Sequence, residues 1–169
     1  MTTFATGLAH RGIDVMTFNF VYMQRRRRVP DQGPKLEACY RAIIDATRAR
    51  VPTAVGRLVV GGKSMGGRIA SQVVADDDDD LGVAGRVFLG YPLHQPRRPE
   101  KRRDAHLPAI AAPMPFVQES RDTFGTKADL RSVVDGARAR ASTSSREATT
   151  RSESKERGLR RRKRSIPRS

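Results

Sequence analysis

The sequence predicts an α/β protein of the doubly wound kind, a mostly parallel sheet with flanking helices. Three observations carry that prediction. Strand-like runs alternate with segments of helical spacing up to about residue 135. Around Leu58–Ala75 (LVVGGKSMGGRIASQVVA) an apolar strand, a glycine-rich turn and a helix follow one another without interruption. Ser64 and Asp122 each come shortly after a strand, and ligands in such sheets bind beyond the carboxyl ends of the strands, so both would open on one rim.

Phe4 and Leu8, four apart, predict a helix over residues 1–11, with Gly12 suited to the left-handed residue that ends it. Ile13–Phe20 (IDVMTFNF) alternates and is rich in β-formers, which predicts a strand. Val21–Pro34 holds two prolines, Gly33 and the run Arg25–Arg28, and reads as a loop with a solvated arginine surface rather than a phosphate site. Leu36, Tyr40, Ile43, Ile44 and Thr47 share one face of a helix over Leu36–Arg50, ended by Pro52, on which Cys39 is a packing residue. Leu58–Val60 predicts a buried strand broken by Gly61 and Gly62, and Arg68–Ala75 the helix behind it. The five acidic residues Asp76–Asp80 read as an exposed loop, because a metal site needs ligands arranged around an ion and a consecutive run spreads them apart. Val83–Tyr91 predicts a strand stopped by Pro92, and Pro92–Pro108 a polar connection with one helical turn around Glu100–His106. Met114–Gln118 is a short strand that turns away through Glu119–Asp122, and Asp129–Ala139 is a helix with Leu130, Val133 and Val134 on one face.

The segment Gly62-Lys63-Ser64-Met65-Gly66 is a G-x-S-x-G between strand and helix, the setting of a nucleophile elbow. There the serine occupies a strained turn with its hydroxyl above the sheet edge, and the glycines avoid collisions with the neighbouring strand and helix. Ser64 also stands at a helix N-terminus, where the Met65 N–H lacks an intrahelical acceptor and can stabilise an oxyanion. The competing reading is a glycine-rich turn with an idle serine.

Composition narrows the remaining possibilities. The chain has 169 residues, 37% hydrophobic, with a net charge of +15 and a pI near 11.3. Residues 136–169 carry 12 Lys/Arg against 3 Asp/Glu, so +9 of that charge lies in the last fifth of the chain and +6 in residues 1–135. Ser, Thr, Arg and Ala dominate from Gly136, Leu159 and Ile166 are the large apolar residues left, and Arg160–Arg164 (RRRKR) forms a basic tip. Such a segment buries too little surface to offset its ordering entropy and reads as a disordered tail. One cysteine, Cys39, excludes an internal disulfide and points to the reducing cytoplasm. No apolar run approaches the ~18 residues that span a bilayer, so no membrane partner is expected, and MTTFATGLAHRG lacks the features of a signal peptide.

GLAHRGIDVMTFNFVYM, PKLEACYRAIIDA, GGKSMGGRIAS, VFLGYPLHQPRRPEKRRDAHLP and PFVQESRDTFGT together resemble the dienelactone-hydrolase-like KANL/Tex group of the α/β-hydrolases, over roughly residues 4–135. The resemblance implies a partial α/β-hydrolase domain over 1–135, with Ser64 as nucleophile and Asp122 as the acid that orients a histidine. No cofactor and no metal are expected. Relatives begin earlier, with a strand and a glycine-rich loop that supplies a second oxyanion N–H, and continue to a final strand and a catalytic histidine. On this resemblance the sheet is expected to lack the strands upstream of residue 1 and after about residue 136. The sheet is expected to have a gap between 13–20 and 57–60, which either pair directly or leave backbone groups unsatisfied. A late start codon and a frameshift near Gly136 would account for both ends.

The histidines are His10, His94 and His106, and none follows Asp122. By the resemblance His94 and His106 match positions outside the triad and serve loop packing or face solvent, while His10 is exposed on the first helix. The expected function is a serine hydrolase acting on a small ester, thioester or lactone, with this chain weak or inactive for want of its general base. The alternative is a non-catalytic interaction protein on a hydrolase scaffold, in which the tail alone could bind nucleic acid or another polyanion. An assembly partner whose sheet is completed by another chain ranks third.

Overall fold

The computed structural model describes residues 2–76, 81–110, 113–119, 122–126 and 128–136. Helix α1 (Thr2–Ala9) ends at Gly12, whose φ of +74° is the left-handed conformation expected there. Residues 13–20 then form no strand, which corrects the expectation from their alternation. A strand exists only through a paired neighbour, and this segment has none among the described residues. Ile13, Val15 and Met16 are exposed, while Phe20 is buried and the Phe18 ring packs edge-on against Phe20 and Tyr40, with centroids 5.4 and 5.3 Å away.

The expected loop after it contains a helical turn, α2 (Val21–Gln24), and Arg25–Arg28 are exposed, with Arg27 paired to Asp31 at 2.7 Å. Helix α3 (Gly33–Arg50) begins three residues earlier than its apolar face suggests, with Pro34 in its first turn, where a missing N–H costs nothing. It buries Leu36, Tyr40, Ile44 and Thr47, and Cys39 packs partly buried against the same core.

Strand β1 (Val59–Lys63) runs through Gly61 and Gly62 instead of stopping at them. Helix α4 (Met65–Asp76) follows after one residue and buries Ile69, Ala70, Ser71, Val73 and Val74. Strand β2 (Gly85–Leu89) pairs parallel with β1, Val59 opposite Gly85 and Lys63 opposite Leu89. Pro92–Pro108 holds an antiparallel hairpin, β3 (His94–Gln95) with β4 (Arg98–Arg102), and a 3-10 turn at Leu107–Ala109, in place of the expected helical turn at 100–106. All five β4 residues are exposed, so no alternation marks the strand, and the hairpin turns on Arg97 at a φ of +60°. Strand β5 (Phe116–Val117) pairs parallel with β2, and a last helix, α5, spans 128–136. Asp77–Asp80 of the acidic run, residues 137–139 of the expected last helix and the basic tail from 137 lie outside the described residues.

The main sheet has the order β1-β2-β5, all parallel, with α3 against α4 and α4 against β1 and β2. This is the mostly parallel sheet with flanking helices that the sequence predicts. Its core is aromatic near the carboxyl end: Phe88, Tyr91 and Phe116 form a triangle with ring centroids 5.2–5.5 Å apart. On the outer edge of β1 a side chain stands where a strand would. The Tyr40 hydroxyl donates to the Gly61 carbonyl at 2.7 Å and accepts from the Gly61 N–H at 3.0 Å. The segments 13–20 and 57–60 do not pair directly, and at the next residue, Gly61, both backbone groups find their partner in Tyr40. Among the described residues no helix is long and apolar enough to cross a membrane.

Candidate active site

The parallel register brings Lys63, Leu89 and Val117 into one row at the carboxyl edge of the sheet. Ser64 is the first residue past β1, and its N–H donates to the Leu89 carbonyl at 2.8 Å, which extends the ladder by one bond. Its φ is +52°, a conformation that a non-glycine residue holds only when the surroundings enforce it. The enforcement is visible on both sides. A Cβ at Gly61 would lie 1.9 Å from the Val87 carbonyl oxygen, and one at Gly62 would lie 2.8 Å from the backbone of Gly66 and Gly67. One at Gly67 would lie 2.7 Å from the Gly62 oxygen. Strand and helix are thus pressed together at bare backbone, and the chain between them can turn only through a left-handed residue. Gly66, the second glycine of the motif, has nothing within 4 Å of its Cβ position, so the close approach rests on Gly61, Gly62 and Gly67 instead.

Ser64 is exposed, and its carbonyl accepts from the Arg68 N–H at 3.1 Å, which starts α4 directly behind it. Met65 is the first helical residue, and the amides of a first turn have no acceptor one turn earlier. A serine hydroxyl above the edge, beside such amides, is an arrangement that can attack a carbonyl and hold the resulting oxyanion.

Asp122 lies across the same edge. A side chain at Gly90, whose φ is +58°, would come 3.8 Å from Asp122 Oδ2, so the carboxylate sits over the end of β2, the strand beside Ser64's own. Its Oδ1 accepts from the Phe124 N–H at 2.8 Å, which fixes the side chain in the turn. Gln118 ties that turn to the sheet: its Oε1 accepts from the Tyr91 N–H at 2.7 Å and its Nε2 donates to the Gly125 carbonyl at 3.0 Å. The sequence reading missed this clamp. A polar residue at the end of an apolar strand was the available signal, but its partners are 27 and 7 residues away.

The structure brings none of the histidines to this pair. His10 is exposed just past α1. His94, on β3, donates through Nδ1 to the Gln95 carbonyl at 2.9 Å. His106 is partly buried, with Nε2 at 2.7 Å from Ser71 Oγ and 3.3 Å from the Tyr91 hydroxyl. Ser71 Oγ donates to the Arg68 carbonyl at 2.7 Å, which leaves its oxygen to accept from His106 Nε2–H and from Tyr91, 2.8 Å away. Burial first, and the nearby Arg68 charge second, hold the His106 imidazole below its usual pKa, with Asp76 and Asp104 opposing. Burial pushes the Tyr91 phenol up to about 12. A neutral imidazole packed in this way is a structural histidine. Among the described residues no group of three or more His, Cys, Asp or Glu side chains is placed to hold a metal ion.

A family model described as the alpha/beta hydrolase domain matches residues 1–165. The match takes in nearly all of the sequence, and the chain belongs to that family. No solved structure matches it.

Proposed function

We propose that this α/β-hydrolase chain has the machinery of a serine hydrolase for a small ester, thioester or lactone, and that as it stands it turns over weakly or not at all. The observation that carries the reading is Ser64 itself, a left-handed, exposed serine wedged between a parallel strand and a helix N-terminus. Ser64 Oγ attacks the acyl carbon, the proton leaves to a base, and the Met65 N–H takes the oxyanion. The carbon–oxygen or carbon–sulfur bond then breaks to give an acyl-serine, which water hydrolyses. Asp122 is the group that would orient a histidine base. No histidine in the sequence follows Asp122, and among the described residues none contacts Ser64. This chemistry calls for no cofactor. The LGYPLH and RDTFGT blocks favour the dienelactone-hydrolase-like KANL/Tex group within the family, and the single cysteine favours a cytoplasmic setting.

A fluorophosphonate probe tests both halves of the reading. Labelling should depend on Ser64, disappear in Ser64→Ala, and run slower than in an intact relative by about four orders of magnitude or more. Labelling unaffected by Ser64→Ala, or none at saturating probe, removes the nucleophile. Labelling as fast as an intact relative removes the missing base and assigns that role to Lys63 or one of the three histidines.

The second reading is a non-catalytic interaction protein that binds a polyanion through its basic tail. The absence of any histidine contact to Ser64 among the described residues favours it.

A further inference from the structure

Among the described residues, Ser64 shares a positive φ with two other non-glycine residues, and both are arginines: Arg26 at +54° and Arg97 at +60°. Each stands where glycine would turn the chain without steric cost. At the end of α2 the Arg26 N–H donates to the Met23 carbonyl and the Arg27 N–H to the Tyr22 carbonyl, both at 2.9 Å. That pair of bonds is the Schellman ending of a helix, and Arg26 holds its left-handed position. In the hairpin, Pro96 and Arg97 lie between the paired Gln95 and Arg98, and a positive φ after proline in such a turn belongs by preference to glycine. Both arginines are exposed, so packing gives no reason for either side chain. Solvation of the run, or protection of the open edge of β4 from pairing, would explain charge but not a left-handed arginine.

The two turns stand on one rim of the molecule. The β3–β4 hairpin follows the carboxyl end of β2. Helix α3 ends at Arg50, shortly before β1 begins, and its Tyr40 meets the middle of β1 at Gly61, so α3 runs back along the sheet with its first turn towards the carboxyl edge. Asp31 ties the Arg25–Arg28 turn to that end of α3, pairing with Arg27 at 2.7 Å and Lys35 at 3.6 Å. Arg27 and Arg102 are thus matched, by Asp31 and Asp104. Among the described residues no carboxylate lies within 4.0 Å of Arg25, Arg26, Arg28, Arg97, Arg98 or Lys101, all of them exposed. Glu100, on the same hairpin, pairs with none of them. Neither 25–28 nor 94–103 holds a Phe, Tyr or Trp to stack on an unpaired base, while a guanidinium fork fits phosphate oxygens through two parallel hydrogen bonds.

We propose that the arginine turns at 25–28 and 97–101 form an interface on the folded body for the phosphate backbone of a nucleic-acid duplex. It rests neither on Ser64 as a nucleophile nor on the basic tail. The test is a salt titration of binding to duplex DNA, followed by fluorescence anisotropy, on the full chain and three triple variants. One carries Arg25→Gln, Arg26→Gln and Arg28→Gln, and another Arg97→Gln, Arg98→Gln and Lys101→Gln. The third, with Arg48→Gln, Arg50→Gln and Arg57→Gln, removes the same charge from the amino edge, at the end of α3 and just before β1. Each phosphate contact contributes about 0.9 to the slope of log K against log salt, so each rim triple should lower it by about 2 to 3 and the amino-edge triple by less than about 0.5. Equal losses from all three variants, a loss confined to one rim triple, or none from either overturns the proposal. Rim-dependent binding to phosphatidylserine vesicles with none to duplex DNA overturns it as well. The double variant with Arg26→Gly and Arg97→Gly should keep or raise the melting temperature while lowering the slope by up to about 1.8. A lower melting temperature with an unchanged slope would make the two arginines structural and the proposal wrong. If the 25–28 triple does not fold, the hairpin triple and the glycine variant decide.

Discussion

Of the four glycines around Ser64, three are there for space and one is not. The Cβ positions of Gly61, Gly62 and Gly67 fall on backbone atoms of a neighbouring strand or helix, which no rotamer change can move aside. Gly62→Ala should therefore lower stability by about 1–3 kcal/mol, the usual range for overpacking, and more if strand and helix cannot part. Gly66 faces open space at a helical position with no positive φ, where alanine is favoured over glycine by up to about 1 kcal/mol. Gly66→Ala should leave the melting temperature unchanged or raise it. Thermal unfolding of the two variants side by side checks this. A Gly66→Ala variant as damaged as Gly62→Ala would mean that the elbow is not built as described. The φ of +52° at Ser64 follows from the same crowding, so the strain at the residue is set by its neighbours.

At the scale of elements, β1 has a strand on one side and a tyrosine on the other. Burial raises the Tyr40 pKa to about 12, so the phenol stays protonated and can donate to Gly61 throughout the physiological range. Tyr40→Phe keeps the ring in the Phe18 contact but leaves both polar groups of Gly61 without their partner. It should cost about 1–3 kcal/mol in urea denaturation, with an unchanged slope. A loss below a few tenths of a kcal/mol would show that water replaces the hydroxyl at no cost. The same edge explains what the sequence could disclose. Helices α1, α3 and α4, strands β1, β2 and β5, and the Ser64 turn follow from local spacing, because periodicity, proline and glycine act within a few residues. Ile13–Phe20 has the pattern of a strand, but pairing depends on a neighbour and not on the pattern. Arg98–Arg102 forms a strand with no apolar residue, because His94 and Gln95 supply its partner and Arg97 its turn. The Gln118 clamp and the Ser71–Tyr91–His106 node join residues 7 to 35 positions apart, and no local pattern announces them.

For the whole molecule the distribution of charge separates the two readings of function. Residues 1–135 carry +6 and residues 136–169 carry +9, with no aromatic residue in the latter to stack on bases. Any polyanion binding should then be electrostatic, independent of sequence and governed by released counterions, each neutralised phosphate contributing about 0.9 to the slope of log K against log salt on duplex DNA. Replacing Arg160, Arg161, Arg162, Lys163 and Arg164 together by glutamine in the full chain removes five of those cations and leaves residues 1–135 untouched. If the tail is the binding element, a salt titration on duplex DNA should show the slope fall by up to about 4. Affinity at low salt should fall with it, while Ser64-dependent labelling should not change. Under the hydrolase reading the parent chain itself should bind DNA no more tightly than a generic cationic peptide of equal charge. A slope unchanged by the five substitutions would move the binding onto the folded body, where the exposed cations of the β3–β4 hairpin are the first place to look.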